Sequence, residues 1–205
     1  PGRPPDAHFA PRQGAPGEQK NIALELKVIA HVGLAGLPNA GKSTFLSSIS
    51  NATPKIADYP FTTLTPQLGV VTVDGSFEDA FVVADIPGLI EGAALGKGLG
   101  HQFLRHLERT KVILVLADAS GEDPKKEFEK LLHELSAFSP DLVEKEMLFV
   151  YTKKDLLGGM PDKEPLLIDN KKTFLISAHT GEGVKPLLYE VRALLNTSFN
   201  KEDHE

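Results

Sequence analysis

The chain contains no cysteine among its 205 residues. That excludes a disulfide framework, a thiolate zinc site and a cysteine nucleophile. No apolar run approaches the ~18 residues of a membrane-spanning helix. The opening Pro1-Gly2-Arg3-Pro4-Pro5 lacks the apolar core of a signal peptide. A cytoplasmic protein is expected. Basic residues are also in short supply. The 22 Lys and Arg are outnumbered by 28 Asp and Glu, for a formal net charge of −6, so bulk charge does not mark a nucleic-acid binder. What is present is ordinary for a globular protein: 41% hydrophobic and 24% charged residues, on a length that suits one domain.

Aromatic residues are nearly absent at the start. Pro1 to Gly17 holds five prolines and three glycines, with Phe9 as its one aromatic residue. It cannot bury enough apolar surface for a core of its own. It reads as a flexible tail or as the edge of a neighbouring domain. From Ile22 the pattern changes. Ile22 to Lys27 alternates apolar and polar residues, a half-buried strand signal. Val28 to Ala35 is almost continuously apolar, as in a strand buried on both faces. A Gly-rich turn follows, then helical spacing of Phe45, Leu46 and Ile49. Asn51 to Pro66, rich in Thr and Pro, reads as a long loop. Leu68–Val73 and Ala80–Ala84 flank Asp74-Gly75-Ser76 and read as a hairpin. A second Gly-rich loop spans Pro87 to Gly100, and a helix carrying Phe103, Leu104 and Leu107 follows it. Val112–Ala117, Met147–Tyr151 and Thr173–Ile176 are further strands. Helical spacing marks Phe128, Leu131, Leu132 and Leu135, and again Val184, Leu187, Leu188, Val191, Leu194 and Leu195. Alternating strands and helices predict an α/β fold: a mainly parallel sheet with helices on both faces and one antiparallel edge hairpin.

Gly36-Leu37-Pro38-Asn39-Ala40-Gly41-Lys42-Ser43 fits G-x-x-x-x-G-K-[ST] between a strand and a helix, the context that makes it a P-loop. Glycines let backbone N–H groups curl around phosphate oxygens, and the helix N-terminus adds attraction. Lys42 is expected on the β- and γ-phosphates and the Ser43 hydroxyl on Mg²⁺. Asp85-Ile86-Pro87-Gly88 ends the hairpin's second strand. There Asp85 can hold Mg²⁺ through water, and Gly88 can offer its N–H to the γ-phosphate. Thr62 or Thr63, in the preceding loop, can close over the metal and let go after hydrolysis. Spacing alone does not choose between them.

Thr152-Lys153-Lys154-Asp155 follows a strand, where nucleotide switches carry the base-reading N-K-x-D pattern. An ionised Asp155 accepts from guanine N1–H and N2–H₂. Adenine offers only a bare acceptor there, a mismatch strong enough to favour GTP over ATP. The Lys153 stem can lie over the base. Ser177-Ala178-His179 follows the last strand, where a backbone N–H can meet guanine O6. The place of the water-orienting Gln of Ras-like enzymes holds Leu89, followed by Ile90. Neither can hydrogen-bond water, so slow turnover is expected, on the order of 10⁻⁴ to 10⁻² s⁻¹ for unassisted switches. Asn39 either shapes the loop or lends its oxygen to a monovalent cation against the phosphates.

Three runs stand out, Leu24 to Thr44, Asp58-Tyr-Pro-Phe61-Thr-Thr-Leu-Thr-Pro66 and Asp85 to Leu104, the last two far more specific than the P-loop. They resemble the Obg family of ribosome-associated GTPases, and the resemblance extends from about Gly2 to Leu195. It implies a P-loop NTPase G domain over residues 28–197, the end of a Gly-rich N-terminal domain over residues 1–27, and a tail over 198–205. It implies Thr63 rather than Thr62 as the Mg²⁺ ligand, with Phe61, Thr44 and His179 completing the nucleotide set. It also implies K⁺ use through Asn39, a large-ribosomal-subunit partner and a response to guanosine tetraphosphate. Bulk acidity then does not exclude an RNA-rich partner, because the surfaces that meet it can lie outside this domain. A nucleotide sensor in stress signalling with incidental hydrolysis is the alternative. A monomer is expected. The chain departs from the family pattern at His31, where Asp is usual, and at Thr152, where Asn is usual. Loss of the Asn amide, which ties this loop to the P-loop, predicts weaker nucleotide affinity with base choice intact. His101 and His106, five apart, do not suit a metal pair and read as exposed or switch-adjacent histidines. Lys125-Lys126 and Lys171-Lys172 read as solvated faces.

Overall fold

The alternation of apolar residues along each central strand sends side chains to both faces of one sheet, and helices cover each face. The computed structural model describes residues 30–56, 66–86, 104, 106–158 and 173–202. Its strands are β1 (Val32–Gly36), β2 (Lys55–Ile56), β3 (Gln67–Val71), β4 (Phe81–Asp85), β5 (Val112–Asp118), β6 (Glu146–Thr152) and β7 (Thr173–Leu175). Its helices are α1 (Lys42–Ile49), α2 (Pro124–Phe138), α3 (Pro140–Glu144) and α4 (Val184–Glu202). The sheet order is β2-β3-β4-β1-β5-β6-β7. β4-β1-β5-β6-β7 are parallel, whereas β2-β3 and β3-β4 pair antiparallel. This is the expected α/β sheet with its edge hairpin, lengthened by a two-residue strand in the segment read as loop. The expected strand at Ile22–Lys27, the loop at Pro87–Gly100 and His101 lie outside the described residues.

In β5, Val112, Leu114 and Leu116 face one core, while Ile113, Val115 and Ala117 face the other. In β6, Leu148 and Val150 join the first core, and Met147, Phe149 and Tyr151 the second. That is the period of two that a strand imposes. Phe45, Leu46 and Ile49 of α1, with Val184, Leu187, Leu188, Val191 and Leu195 of α4, close the first core. Leu104, Leu107, Phe128, Leu131, Leu135 and Leu142 close the second. Each such buried side chain contributes roughly 1.5–3 kcal/mol relative to exposure. Phe128 meets Phe149 and Tyr151 edge-on, with ring centroids 5.3 and 5.0 Å apart.

Local signals start α2. Asp123 caps it by accepting from Lys126 N–H at 3.1 Å, and Pro124 follows at the first position, where a missing N–H costs nothing. The hairpin turn is tied across to α4. The Tyr189 hydroxyl donates to Asp74 at 2.6 Å, and Arg192 donates to the same carboxylate at 2.9 Å. His106 is buried at 5% exposure, which corrects the exposed alternative for this histidine; the switch residues of the other alternative lie outside the described residues.

Candidate functional site

Between β1 and α1 the backbone doubles back through two residues of positive φ, Asn39 at 65° and Gly41 at 87°. Gly36 is required where this loop leaves the sheet. A Cβ there would stand 2.7 Å from the Leu116 carbonyl oxygen of β5. Inside the loop, Ala40 N–H donates to Leu37 O at 3.2 Å, and Phe45 N–H opens the helix by donating to Gly41 O at 2.8 Å. Lys42 Nζ donates back to Gly36 O at 2.8 Å and Leu37 O at 3.1 Å. Its ammonium therefore sits within the curl of the loop. Burial holds the Lys42 pKa below the usual lysine value, partly offset by Asp85.

Ser43 Oγ donates to Asp85 Oδ2. Asp85 is 4% exposed, and its Oδ1 has no hydrogen-bond partner among the described residues. A buried carboxylate oxygen without a donor is costly, and hard divalent cations take hydroxyl, carboxylate and water oxygens. The Ser43–Asp85 pair thus offers oxygen donors of the kind a hard divalent cation such as Mg²⁺ accepts. Among the described residues, no group of three or more His, Cys, Asp or Glu forms a separate metal cluster.

The second half of the site is built at the ends of β6 and β7. Thr152 is 2% exposed. Its Oγ1 lies 2.8 Å from Ala40 O and 3.1 Å from Ala117 O, so one hydroxyl proton is shared between the P-loop and β5. This corrects the sequence reading at that position. The tie expected to be lost with the Asn amide is made by the Thr hydroxyl. Lys153 follows in left-handed conformation, φ 60°. Lys154 N–H then donates to Ile176 O at 3.0 Å, and Lys154 Nζ pairs with Glu182 at 2.7 Å. Both contacts fasten the loop to the β7–α4 turn.

Asp155 is exposed, and its Oδ1 accepts from Ser177 Oγ at 2.6 Å. That hydrogen bond holds the Asp155 pKa below the usual carboxylate range, so the group is ionised at neutral pH. The Ser177 N–H is already given to Glu182 O at 2.9 Å, which leaves Ala178 and His179 as the backbone donors of that turn. The sequence reading missed Asp118, at the end of β5, whose carboxylate accepts from Lys153 Nζ. Its signal was an acidic residue closing a continuous apolar strand just before a Ser-Gly turn. Phe61, Thr62, Thr63, Gly88, Leu89 and Ile90 lie outside the described residues.

A strand, a Gly-rich loop, a helix and a turn carrying the Asp155 carboxylate are therefore joined through one buried hydroxyl. The family model described as "50S ribosome-binding GTPase" matches residues 31–153, which include the P-loop, Asp85, Asp118, Thr152 and Lys153 but end before Asp155 and Ser177. The chain belongs to that family. It is 52% identical over 200 residues to the GTPase Obg of Lachnoclostridium phytofermentans, covering 91% of this chain and 46% of the relative. It is 48% identical over 202 residues to that of Bacteroides fragilis, covering 96% and 50%. The chain thus spans about half the length of the curated relatives it matches. Among solved structures, the G domain of the T. maritima FeoB iron transporter superposes with TM-score 0.60 at 22% identity, covering 80% of this chain and 96% of that one. A point variant of Aquifex aeolicus Era bound to GDP.AlF4- gives TM-score 0.60 at 24% identity, covering 80% and 56%. These structural likenesses show the P-loop GTPase fold. No helix among the described residues is long and apolar enough to cross a membrane.

The second departure from the Obg pattern is accounted for at the opposite end of β1. His31 Nδ1 accepts the Val82 N–H at 2.9 Å, and His31 N–H donates to Val82 O at 2.9 Å. The imidazole nitrogen supplies the acceptor that a carboxylate oxygen would. Burial first, and Lys111 second, lower its pKa and keep it in the neutral form this contact needs.

Proposed function

We propose that this chain is the nucleotide-binding and hydrolysing unit of an Obg-type GTPase switch. The observation that carries this reading is the single Thr152 hydroxyl on Ala40 O and Ala117 O. It joins a P-loop to a turn in which Asp155 is held ionised. In this reading the ionised Asp155 accepts from guanine N1–H and N2–H₂, with Ala178 or His179 donating to O6. The Lys42 ammonium has three N–H donors and two carbonyl partners, so it can also donate to a phosphate oxygen. Ser43 and Asp85 (the latter through water) hold Mg²⁺, with Thr63 as the third ligand implied by the family. The metal supplies charge neutralisation on the phosphate oxygens.

Leu89 stands where a water-orienting Gln would be, so hydrolysis is slow without a further cation. Asn39, fixed in left-handed conformation within the loop, is the residue that offers an oxygen to K⁺. The match to a ribosome-binding GTPase family supports the large ribosomal subunit as partner of the full-length protein. Guanosine tetraphosphate as a regulatory ligand and a cytoplasmic location belong to the same reading.

GTP turnover by the purified chain in matched KCl and NaCl buffers with Mg²⁺ tests it. Turnover should be faster in KCl and lost in Lys42→Ala. Equal rates in the two salts would remove the K⁺ role, and unaltered turnover in Lys42→Ala would remove the phosphate-site assignment.

A further inference from the structure

Asp118 ends β5, directly opposite Thr152 in the parallel β5–β6 register. Its two carboxylate oxygens have separate tasks. Oδ1 accepts from Ser120 N–H at 2.9 Å and Ser120 Oγ at 2.6 Å, which closes the turn after β5. Oδ2 accepts from Lys153 Nζ. Ala119 N–H also donates to Thr152 O at 3.0 Å, so this turn is stitched to the base loop by backbone as well as by charge. The Lys153 and Asp118 side chains are 32% and 21% exposed, so the pair is partly shielded from water. Burial pushes the Asp118 pKa up, but the Lys153 and Ser120 hydrogen bonds outweigh it and keep the carboxyl ionised.

Lys153 carries four methylenes between a left-handed backbone and this anchored ammonium. A lysine held at both ends presents its stem as a fixed apolar rail. A lysine held only at the backbone samples many rotamers, and ordering it on binding costs free energy. We propose that Asp118 is a positioning residue for nucleotide binding: it pins Lys153 so that the lysine stem forms a preset face for the purine ring. This rests on the reading of Lys153–Asp155 as the base loop. GDP and GTP share the base, so Asp118 sets affinity for both alike and leaves their ratio unchanged.

The test is a double-mutant cycle on GDP binding, read by equilibrium titration. Asp118→Asn keeps an oxygen for Ser120 and removes the charge that holds Lys153. It should raise the GDP and GTP dissociation constants together by about three- to fivefold, the scale of a partly exposed ion pair. In a Lys153→Met background, which retains the stem without the ammonium, Asp118→Asn should change nothing further. Ser120→Ala, which loosens the turn but not the Lys153 pair, should leave GDP affinity within about twofold. Equal losses from Asp118→Asn in both backgrounds, or no loss in either, would overturn the proposal. So would a loss confined to GTP. Asp155→Asn measured alongside keeps the two readings apart. If base choice stays unaltered there, the base-loop reading fails. If base choice shifts but Asp118 and Lys153 show no coupling, only the positioning role fails.

Discussion

Replacing Thr152 by Val removes one hydroxyl from the centre of the site at nearly constant shape. That hydroxyl is 2.8 Å from Ala40 O and 3.1 Å from Ala117 O, on a residue 2% exposed. Ala117 lies inside the β5–β6 ladder, so the carbonyl that suffers is that of Ala40, itself buried. Losing a hydrogen bond costs about 1 kcal/mol, and stranding a buried carbonyl costs up to about 3. A loss of ~1–2 kcal/mol corresponds to roughly a 5- to 30-fold change in an equilibrium constant. For a domain of this size it is a fall in Tm of about 2–4 °C per kcal/mol. Both should be seen: weaker GDP binding in a fluorescent-nucleotide titration and a lower melting midpoint. Thr152→Ser keeps the hydroxyl and should retain most of both. Thr152→Asn installs the residue usual in the family and should change affinity only slightly, because the tie already exists. Thr152→Val binding GDP as tightly as the parent, or Thr152→Asn binding it more than ~10-fold tighter, would refute this reasoning.

Two further predictions concern the scaffold. His31 and His106 both have pKa values lowered by burial, helped by Lys111 and Arg109 respectively. The unfolded chain therefore takes up protons that the fold refuses. Their contribution to stability is full above about pH 6.5, the unfolded value, and is lost as pH falls through the lower folded values. Urea midpoints should drop between pH 7.5 and 5.5, with a shallower drop in His31→Gln; a parent midpoint flat across that range would contradict the assignment. Gly36→Ala puts a methyl 2.7 Å from the Leu116 carbonyl oxygen, and backbone cannot rotate aside. It should destabilise by about 1–3 kcal/mol, with chemical denaturation as the check and an unchanged midpoint as the refutation.

Much of this fold was legible because its signals are periodic and local. The β5 run Val112–Ala117 and the α4 stripe from Val184 to Leu195 each declare a buried element, and the spacing of Phe128, Leu131 and Leu135 declares another. The elements that escaped are short. β2 has two residues, Lys55 and Ile56, too few to show a period of two. It exists only because Leu68 and Gln67 of β3 lie beside it. The five-residue α3 follows Ser139 and opens on Pro140, with Leu142 as its one buried residue, below the length at which a hydrophobic face repeats. At the site, P-loop spacing placed Gly36 to Ser43 correctly on a strand–loop–helix unit. What Thr152 does could not be read from its difference from Asn, since the answer depends on how near Ala40 O comes across the fold. Asp118 was hidden for a related reason. Its meaning lies in Lys153, 35 positions away in sequence and one strand away in space.

In the proposed function, Asp155 and the P-loop together make a guanine-specific site. Equilibrium binding of GTP, GDP, ATP and guanosine tetraphosphate in Mg²⁺, and of xanthosine triphosphate to Asp155→Asn, tests it most directly. The parent chain should bind the guanine nucleotides and exclude ATP, and Asp155→Asn should lose GTP and gain xanthosine triphosphate. Comparable ATP and GTP binding by the parent, or an Asp155→Asn variant that still prefers GTP, would contradict it.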